Sequence, residues 1–148
     1  MSISKRNAVK AEIDHLVSEF FGAVSFGAGA TPSYGNIAPL FIDRGLLIKA
    51  STDVPEVSSV QEFVKPREAL VASGDLTQFH ESEESESTLI FGNVAHRFSV
   101  YAKSGITGGK AFEARGKITT QFVNTPSGWK MSAMAWDDER PGLSLADT

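Results

Sequence analysis

Hydrophobic and polar residues alternate along two runs near the end of the chain, 112–123 and 129–136, and a short loop with Pro126 and Gly128 separates them. A period of two residues is typical of β-strands, and Pro and Gly mark the turn between two strands. The sequence therefore predicts a β-hairpin. If residues 125–128 form its loop, the predicted cross-strand pairs are Asn124 with Trp129, Phe122 with Met131, Ile118 with Ala135, Arg115 with Asp138, and Glu113 with Arg140.

This register divides the hairpin into two faces, because successive strand side chains point to opposite sides of a sheet. The predicted buried face carries Ile118, Phe122, Trp129, Met131 and Ala135. The predicted outer face carries Lys117, Thr119, Gln121, Lys130 and Ser132. Met134 and Trp136 fall on the outer side of the same count, and a β-bulge would be needed to turn Trp136 inward.

Earlier in the chain the hydrophobic spacing is helical. Apolar residues between positions 5 and 25 recur every three or four residues and predict a first helix with the stripe Ile13, Leu16, Val17, Phe20, Phe21 and Val24. The Gly- and Pro-containing segment 27–32 ends this helix. Asn36 is predicted to cap a short second helix over 37–42, and a short strand is predicted over 46–51.

A capping box predicts where a third helix begins, and two alternatives fit, Ser58 with Gln61 and Ser59 with Glu62. Pro66 is expected to break this helix, and the chain then turns toward Gly74. Two long strands, 76–91 and 94–103, follow with a two-residue Gly92-Asn93 turn between them. Segment 104–109 is predicted to be a flexible loop.

The turn at Gly92-Asn93 sets a second register, with Phe91 opposite Val94, Leu89 opposite His96, Ser87 opposite Phe98, and Glu84 opposite Tyr101. The acidic run 81–86 is predicted to be a solvated strand face that Arg97 and Lys103 compensate across the strands. Glu83 and Asp137 are predicted to point inward. They would lie about 14 Å apart at three strand spacings, which is too far for a carboxylate dyad.

Composition narrows the function classes. A chain of 148 residues suits one domain, 1–148, in which 141–148 is predicted to be a polar tail. The net charge of -4 with no basic stripe argues against nucleic-acid binding, and no segment has the composition of a membrane span. The absence of cysteine excludes thiol chemistry, and three scattered histidines give no metal signature, so no cofactor is predicted. A cytoplasmic location is the expectation.

The order of elements, helix, short helix, strand, helix and four-stranded meander, resembles the NTF2-like, or SnoaL-like, superfamily, particularly its uncharacterised bacterial members. The segments that carry the resemblance are 62–67 (EFVKPR), 91–97 (FGNVAHR), 128–131 (GWKM) and 136–140 (WDDER). The resemblance implies an α+β cone, with three helices of the N-terminal half packed on a strongly curved, mainly antiparallel sheet. It also implies an apolar pocket inside the cone and frequently a homodimer through the outer sheet face.

The resemblance says little about the reaction, because the superfamily includes isomerases, dehydratases, epoxide hydrolases, polyketide cyclases, transport factors and domains without known activity. Its ketosteroid isomerases carry their general-base aspartate late in the first strand. The matching position here is Lys49 or a neighbour, where no carboxylate stands. Steroid-isomerase chemistry is therefore not expected, because a charged lysine cannot accept the proton.

The candidate site residues follow from the two registers and the resemblance. The pocket is predicted to contain Phe20, Tyr34, Phe41, Phe63, Phe79, His96, Phe98 and Thr120. The homodimer interface is predicted to contain Tyr101, Arg115, Met134 and Trp136, although the isomerase relatives would instead place a residue like Trp136 in the pocket. His96, on the face with Leu89 and Phe98, has three interpretations: a hydrogen-bonded core residue, a ligand contact or a catalytic acid-base.

Three functional hypotheses result. The first is a small-molecule-binding, enzyme-like domain with an apolar or cyclic ligand in the cone. The second is a non-catalytic homodimeric accessory module. The third is a dehydratase or cyclase that uses His96.

Overall fold

The structure is a computed structural model that describes residues 1–147. Helix α1 (Ile3–Val24) is followed by two 3-10 turns, Tyr34–Asn36 and Ala38–Leu40, and by strand β1 (Phe41–Lys49). Strand β2 (Glu56–Ser59) leads into helix α2 (Val60–Ala72). Four long strands complete the fold: β3 (Leu76–Phe91), β4 (Val94–Thr107), β5 (Lys110–Thr125) and β6 (Gly128–Asp138).

The strands form one sheet in the order β2-β1-β6-β5-β4-β3. The β1–β6 pair is parallel and the other pairs are antiparallel. Helix α1 lies on one face of this sheet and buries the predicted stripe of Ile13, Leu16, Val17, Phe20, Phe21 and Val24. The predicted α+β arrangement of helices on a mainly antiparallel sheet is therefore confirmed. Within residues 1–147 no helix is both long and apolar enough to cross a membrane.

The predicted second helix is present only as the two 3-10 turns. Phe41 and Ile42, which the sequence assigned to its end, instead begin β1, because Phe41 is buried in the core and pairs with Met131 of β6. Strand β1 is correspondingly longer at its start than predicted. Strand β2, which pairs antiparallel with β1, was not predicted.

Of the two capping boxes, the structure forms the one at Ser59. Its hydroxyl accepts a hydrogen bond from the Glu62 amide at 3.1 Å, and the Glu62 carboxylate accepts one from the Ser59 amide at 2.9 Å. Pro66 lies within α2, so the prediction that it breaks the helix is wrong. Pro66 and Glu62, whose carbonyl loses its helical partner, are both exposed, and water can satisfy that carbonyl.

The β3–β4 register is confirmed from Phe91–Val94 to Ser87–Phe98, but a bulge at Glu84 then places Glu83, not Glu84, opposite Tyr101. Glu81, Glu83 and Glu86 are the members of the acidic run that point toward α1, so the prediction of one solvated face is wrong. The bulge separates them from Glu84, which pairs with Arg115 on the outer face.

On β4, and on β3 between the Gly92-Asn93 turn and the bulge at Glu84, the faces are opposite to those predicted; before the bulge, Glu83 points inward as predicted. Leu89 is 67% exposed and Phe98 is 38% exposed, whereas Arg97 is 3% exposed. The guanidinium of Arg97 reaches Asp14 of α1. The β4 residues that alternate with Arg97 on the same face therefore also point toward this helix. His96 and Phe98 therefore lie on the outer face, together with Leu89.

The β5–β6 register is confirmed for Asn124–Trp129 and Phe122–Met131. A bulge at Ser132 then shifts it by one residue, so Ile118 lies opposite Trp136 and Gly116 opposite Asp138. The predicted pairs Ile118–Ala135, Arg115–Asp138 and Glu113–Arg140 are each wrong for this reason. The bulge turns Met134 and Trp136 inward and sends Asp137 to the outer side, where Arg140 binds its carboxylate.

Candidate ligand-binding cavity

A cavity of about 120 Å³ lies between α1, α2 and the inner face of the sheet, and it is open on one side. Its apolar wall consists of Phe20, Val24, Tyr34, Phe63, Leu76, Phe79, Ile118, Met134 and Trp136. The rings pack edge to face: the Phe63 and Trp136 centroids are 6.0 Å apart at an interplanar angle of 87°. Such pairs fix the side chains that surround the open volume.

Four charged side chains interrupt this wall: Lys49, Arg67, Glu81 and Lys103. Each comes from a different element, β1, α2, β3 and β4 respectively. The Lys103 amine lies 3.1 Å from a carboxylate oxygen of Asp138, which also accepts a hydrogen bond from the Tyr101 hydroxyl. Lys103 is thus neutralised within the protein.

Arg67 lies flat on the cavity wall. Its guanidinium carbon is 3.6 Å from the centre of the Phe63 ring, and its Nη1 donates a hydrogen bond of 2.8 Å to the Phe63 carbonyl. Burial lowers the pKa of Arg67, and the nearby Tyr34, Glu56 and Glu81 only partly offset this. No carboxylate in residues 1–147 lies within ion-pair distance of it.

Glu81 is directly opposite Lys103 in the β3–β4 pairing. Burial raises the pKa of the Glu81 carboxyl to about 7, and the charge of Lys103 partly offsets the rise. Within the described part of the chain, no side chain or amide donates a hydrogen bond to this carboxylate. Glu81 also borders two clefts outside the cavity, so the group lies between the cavity and solvent. It can therefore accept or release a proton near neutral pH.

Replacing Glu81 with glutamine is expected to change how stability depends on pH. The folded protein binds a proton at Glu81 up to about pH 7, whereas the unfolded chain loses it near 4.5. Glu81 therefore makes the wild type less stable as pH rises between these values, by on the order of 3 kcal/mol at most. Urea unfolding of both proteins at several pH values would measure this, and E81Q should gain stability relative to wild type as pH rises. Parallel curves would contradict the prediction.

A polar cluster around Arg97 lies next to the cavity, under α1. The Arg97 guanidinium is 2.6 Å from one Glu83 oxygen and 3.0 Å from the other, and it also lies 2.6 Å from Asp14. Ser99 donates a hydrogen bond of 2.6 Å to Glu83. Burial opposes ionisation of Asp14, but hydrogen bonds from Lys10 and Arg97 outweigh it and hold the Asp14 pKa below its usual value. This cluster joins α1 to β3 and β4.

The structure brings four of the eight predicted pocket residues to the cavity: Phe20, Tyr34, Phe63 and Phe79. Phe41 and Thr120 are buried beside it, and the Phe41 and Phe20 ring centroids are 6.4 Å apart. His96 and Phe98 lie on the opposite face of the sheet, so the prediction that they point into the cone is wrong. The Nδ1 atom of His96 is buried without a hydrogen-bond partner in residues 1–147.

The residues predicted for an interface are mostly internal. Tyr101 is 0% exposed and Met134 is 2% exposed, and Trp136 lines the cavity. Only Arg115 is on the surface, where it forms a bidentate ion pair with Glu84 at 2.8 and 3.0 Å. Met134 and Trp136 point inward because of the bulge at Ser132. Tyr101 points inward because it lies on the same face of β4 as Arg97.

Sequence reasoning missed Arg67, Glu81 and Lys103 as cavity residues. Lys49 was noted only as the position without a general base, yet it lines the cavity. The charge of these residues suggested an exposed position, although Glu81 lies two residues before Glu83 on the face that was predicted to point inward. Nothing in the sequence indicated the cluster of Tyr101, Lys103 and Asp138, because only the shifted β5–β6 register brings these residues together.

No family model matches the sequence, and no curated protein matches it by sequence. Solved structures do resemble it. An NTF2-like superfamily protein from Salmonella enterica has a TM-score of 0.75 and 11% identity, covering 97% of this chain and 99% of that one. A hexachlorocyclohexane dehydrochlorinase, LinA-type3, from Novosphingobium barchaimii has a TM-score of 0.77 and 14% identity, covering 99% and 97%.

A third structure, an NTF2-like protein with a cystatin-like fold from Novosphingobium aromaticivorans, has a TM-score of 0.71 and 13% identity, covering 97% of this chain and 86% of that one. All three extend over nearly the whole chain, and at these identities the likeness concerns the fold alone. The chain has the NTF2-like, cystatin-like α+β fold that its sequence predicted.

Proposed function

We propose that this chain is a small-molecule-binding domain, that its ligand occupies the cavity between α1, α2 and the sheet, and that Glu81 can transfer a proton to or from that ligand. The observation that carries the proposal is the open cavity itself. Aromatic rings line this volume together with a carboxylate that accepts no hydrogen bond from the described part of the chain. Pockets of this composition, apolar with a few convergent polar groups, are typical of ligand sites.

The size of the cavity limits the ligand. A volume of about 120 Å³ is close to that of an engineered cavity of roughly 150 Å³ that binds benzene. A single ring therefore fits, and a steroid does not. The proposal accordingly concerns ligands with one ring or a short branched chain.

An enzymatic role is consistent with this site. A neighbouring fold is a hexachlorocyclohexane dehydrochlorinase, which supports catalysis on this architecture without naming a substrate here. A proton-transfer reaction in the cavity would use Glu81 rather than His96, because His96 lies across the sheet from the ligand volume. The general base must reach the proton that it removes.

Filling the cavity is expected to abolish ligand binding. Val24 is buried on the cavity wall, so V24F projects a ring into the open volume. A set of one-ring compounds, followed by NMR, should shift the indole signal of Trp136 in the wild type and leave it unchanged in V24F. The weakening should exceed tenfold, or about 1.4 kcal/mol.

The matched control is V57F, because Val57 is 57% exposed on β2, away from the cavity. V57F should bind as the wild type does, and thermal unfolding should confirm that both variants are folded. Failure of all one-ring compounds to shift cavity signals in the wild type would refute the proposal, as would unchanged binding in folded V24F.

A homodimeric accessory module is the second candidate, and the outer face of β3 and β4 favours it. Leu89, Phe91, Val94 and Phe98 are exposed there together, and His96 lies among them. Monomers rarely expose contiguous apolar patches, and such patches mark association sites. Sedimentation equilibrium tests the proposal, and a monomer at all attainable concentrations would exclude it.

A further inference from the structure

Two cations on the cavity wall form no ion pair within residues 1–147. Lys49 and Arg67 line the cavity, and neither lies within ion-pair distance of a carboxylate in residues 1–147. Lys103, the third cation, is bound to Asp138. Burial of the Arg67 charge is costly, and an anionic group in the cavity would offset this cost. The charges of the wall therefore favour an anionic ligand.

Arg67 has the geometry to bind such a group. Stacking on Phe63 holds the guanidinium plane, and only Nη1 is used, in the hydrogen bond to the Phe63 carbonyl. Its Nε and Nη2 donate no hydrogen bond to any described residue. A fixed guanidinium with two adjacent free donors matches the two oxygens of a carboxylate.

Tyr34 adds a further donor on the same wall. The side chain is 6% exposed, and its hydroxyl makes no hydrogen bond within residues 1–147. Burial raises the pKa of Tyr34, so the hydroxyl stays protonated and can donate. Arg67 is close enough for its charge to act on this group. The hydroxyl is therefore available to donate to a ligand oxygen in the cavity.

We propose that the ligand is a monocyclic carboxylate, with its carboxylate on Arg67 and Tyr34 and its ring against Phe20 and Trp136. This inference rests on the proposed function, because it names the class of molecule that the same cavity takes. The aromatic wall binds the ring, and the free donors bind the carboxylate. Lys49 adds positive charge to the same volume.

The test compares benzoate with benzamide, which has the same shape without the charge. Both are titrated by NMR at about pH 6, where benzoate is ionised and Glu81 is mostly protonated, so that Glu81 does not repel the probe. Benzoate should bind at least tenfold more tightly than benzamide. The R67Q variant should remove this preference, and R67K, which keeps the charge and loses the planar fork, should retain only part of it.

The matched control is K65Q, which removes one positive charge from an exposed position of the same helix. It should keep the full preference for benzoate. Equal affinities of the two probes for the wild type would overturn the inference and leave the proposed function standing, and so would a folded R67Q that still prefers benzoate. If neither probe, nor any other one-ring compound, binds in the cavity, both proposals fail. If R67Q does not fold, the wild-type comparison and R67K decide.

Discussion

Replacing Arg97 with methionine is expected to lower the free energy of unfolding by about 3–5 kcal/mol. Arg97 is buried and holds Glu83 and Asp14 together, with a carboxylate oxygen of Glu86 at 3.6 Å. Methionine fills much of the volume but leaves these carboxylates without their shared cation. Urea unfolding near neutral pH would measure the change.

The comparison variant is R115M, which breaks the Arg115–Glu84 ion pair on the surface. That pair also has bidentate geometry, but both side chains are substantially exposed, so its loss should cost far less than the loss of the Arg97 contacts. The two substitutions are chemically identical and differ in burial. If R97M loses no more stability than R115M, the Arg97 cluster does not stabilise the fold as described.

The cost of R97M should also depend on pH. The pKa values of Asp14 and Glu86 are held low in the folded protein by hydrogen bonds and charges that include those of Arg97. A carboxyl with a lowered folded pKa stabilises the protein above its unfolded pKa, and this contribution is lost as pH falls through the folded value. The difference between wild type and R97M should therefore be largest near neutral pH and shrink as pH falls below the usual carboxyl pKa range.

Replacing Gly116 with alanine is expected to destabilise the protein by about 2–3 kcal/mol. Tyr101 of β4 extends across β5 at Gly116 to reach Asp138 of β6. A Cβ at Gly116 would lie 2.7 Å from the Tyr101 Cζ atom and still closer to the Tyr101 hydroxyl and the Asp137 carbonyl. The backbone carbonyl cannot rotate away, so the strands must separate locally. Thermal and urea unfolding would measure the loss.

Gly22 provides the matched substitution, because a Cβ there meets no atom within 4 Å and the residue lies on the exposed side of α1. G22A should stabilise the protein by about 0.5–1 kcal/mol, since alanine favours the helix. Opposite signs for the two glycine-to-alanine changes are therefore expected. A G116A protein as stable as the wild type would mean that Tyr101 does not cross β5 in this way.

The helical stripe of α1 and the hairpin turns at 92–93 and 125–128 were predictable from sequence, because periodicity and turn residues are local signals. The bulges at Glu84 and Ser132 could not be predicted from sequence. Glu84 and Ser132 each add one residue to a strand, and nothing in their side chains indicates this. Beyond each bulge every side chain changes face, which is why Trp136 was predicted outside and lies inside.

The prediction of which β4 residues point inward failed for a different reason. Phe98 and Leu89 are apolar, and Arg97 is charged, so hydrophobicity assigned the faces the wrong way round. The assignment depends on Asp14 of α1 and Glu83 of β3, which satisfy Arg97 only after the chain has folded. The cavity residues Arg67 and Glu81 escaped prediction on the same grounds, because a charged residue is on average a surface residue.

The bulge at Ser132 also bears on how this cavity could change over evolutionary time. Because the faces of a strand alternate, pairing Ser132 with Gln121 as a regular strand residue would exchange the two sides of β6 beyond it. Met134 and Trp136 would move to the surface, and Ala133, Ala135 and Asp137 would take their places. A slip of one residue between β5 and β6 would thus replace an aromatic wall with small side chains and a carboxylate. Chains of this fold could acquire a different ligand specificity by gaining or losing a bulge inside a strand, without any change in the residues that line it.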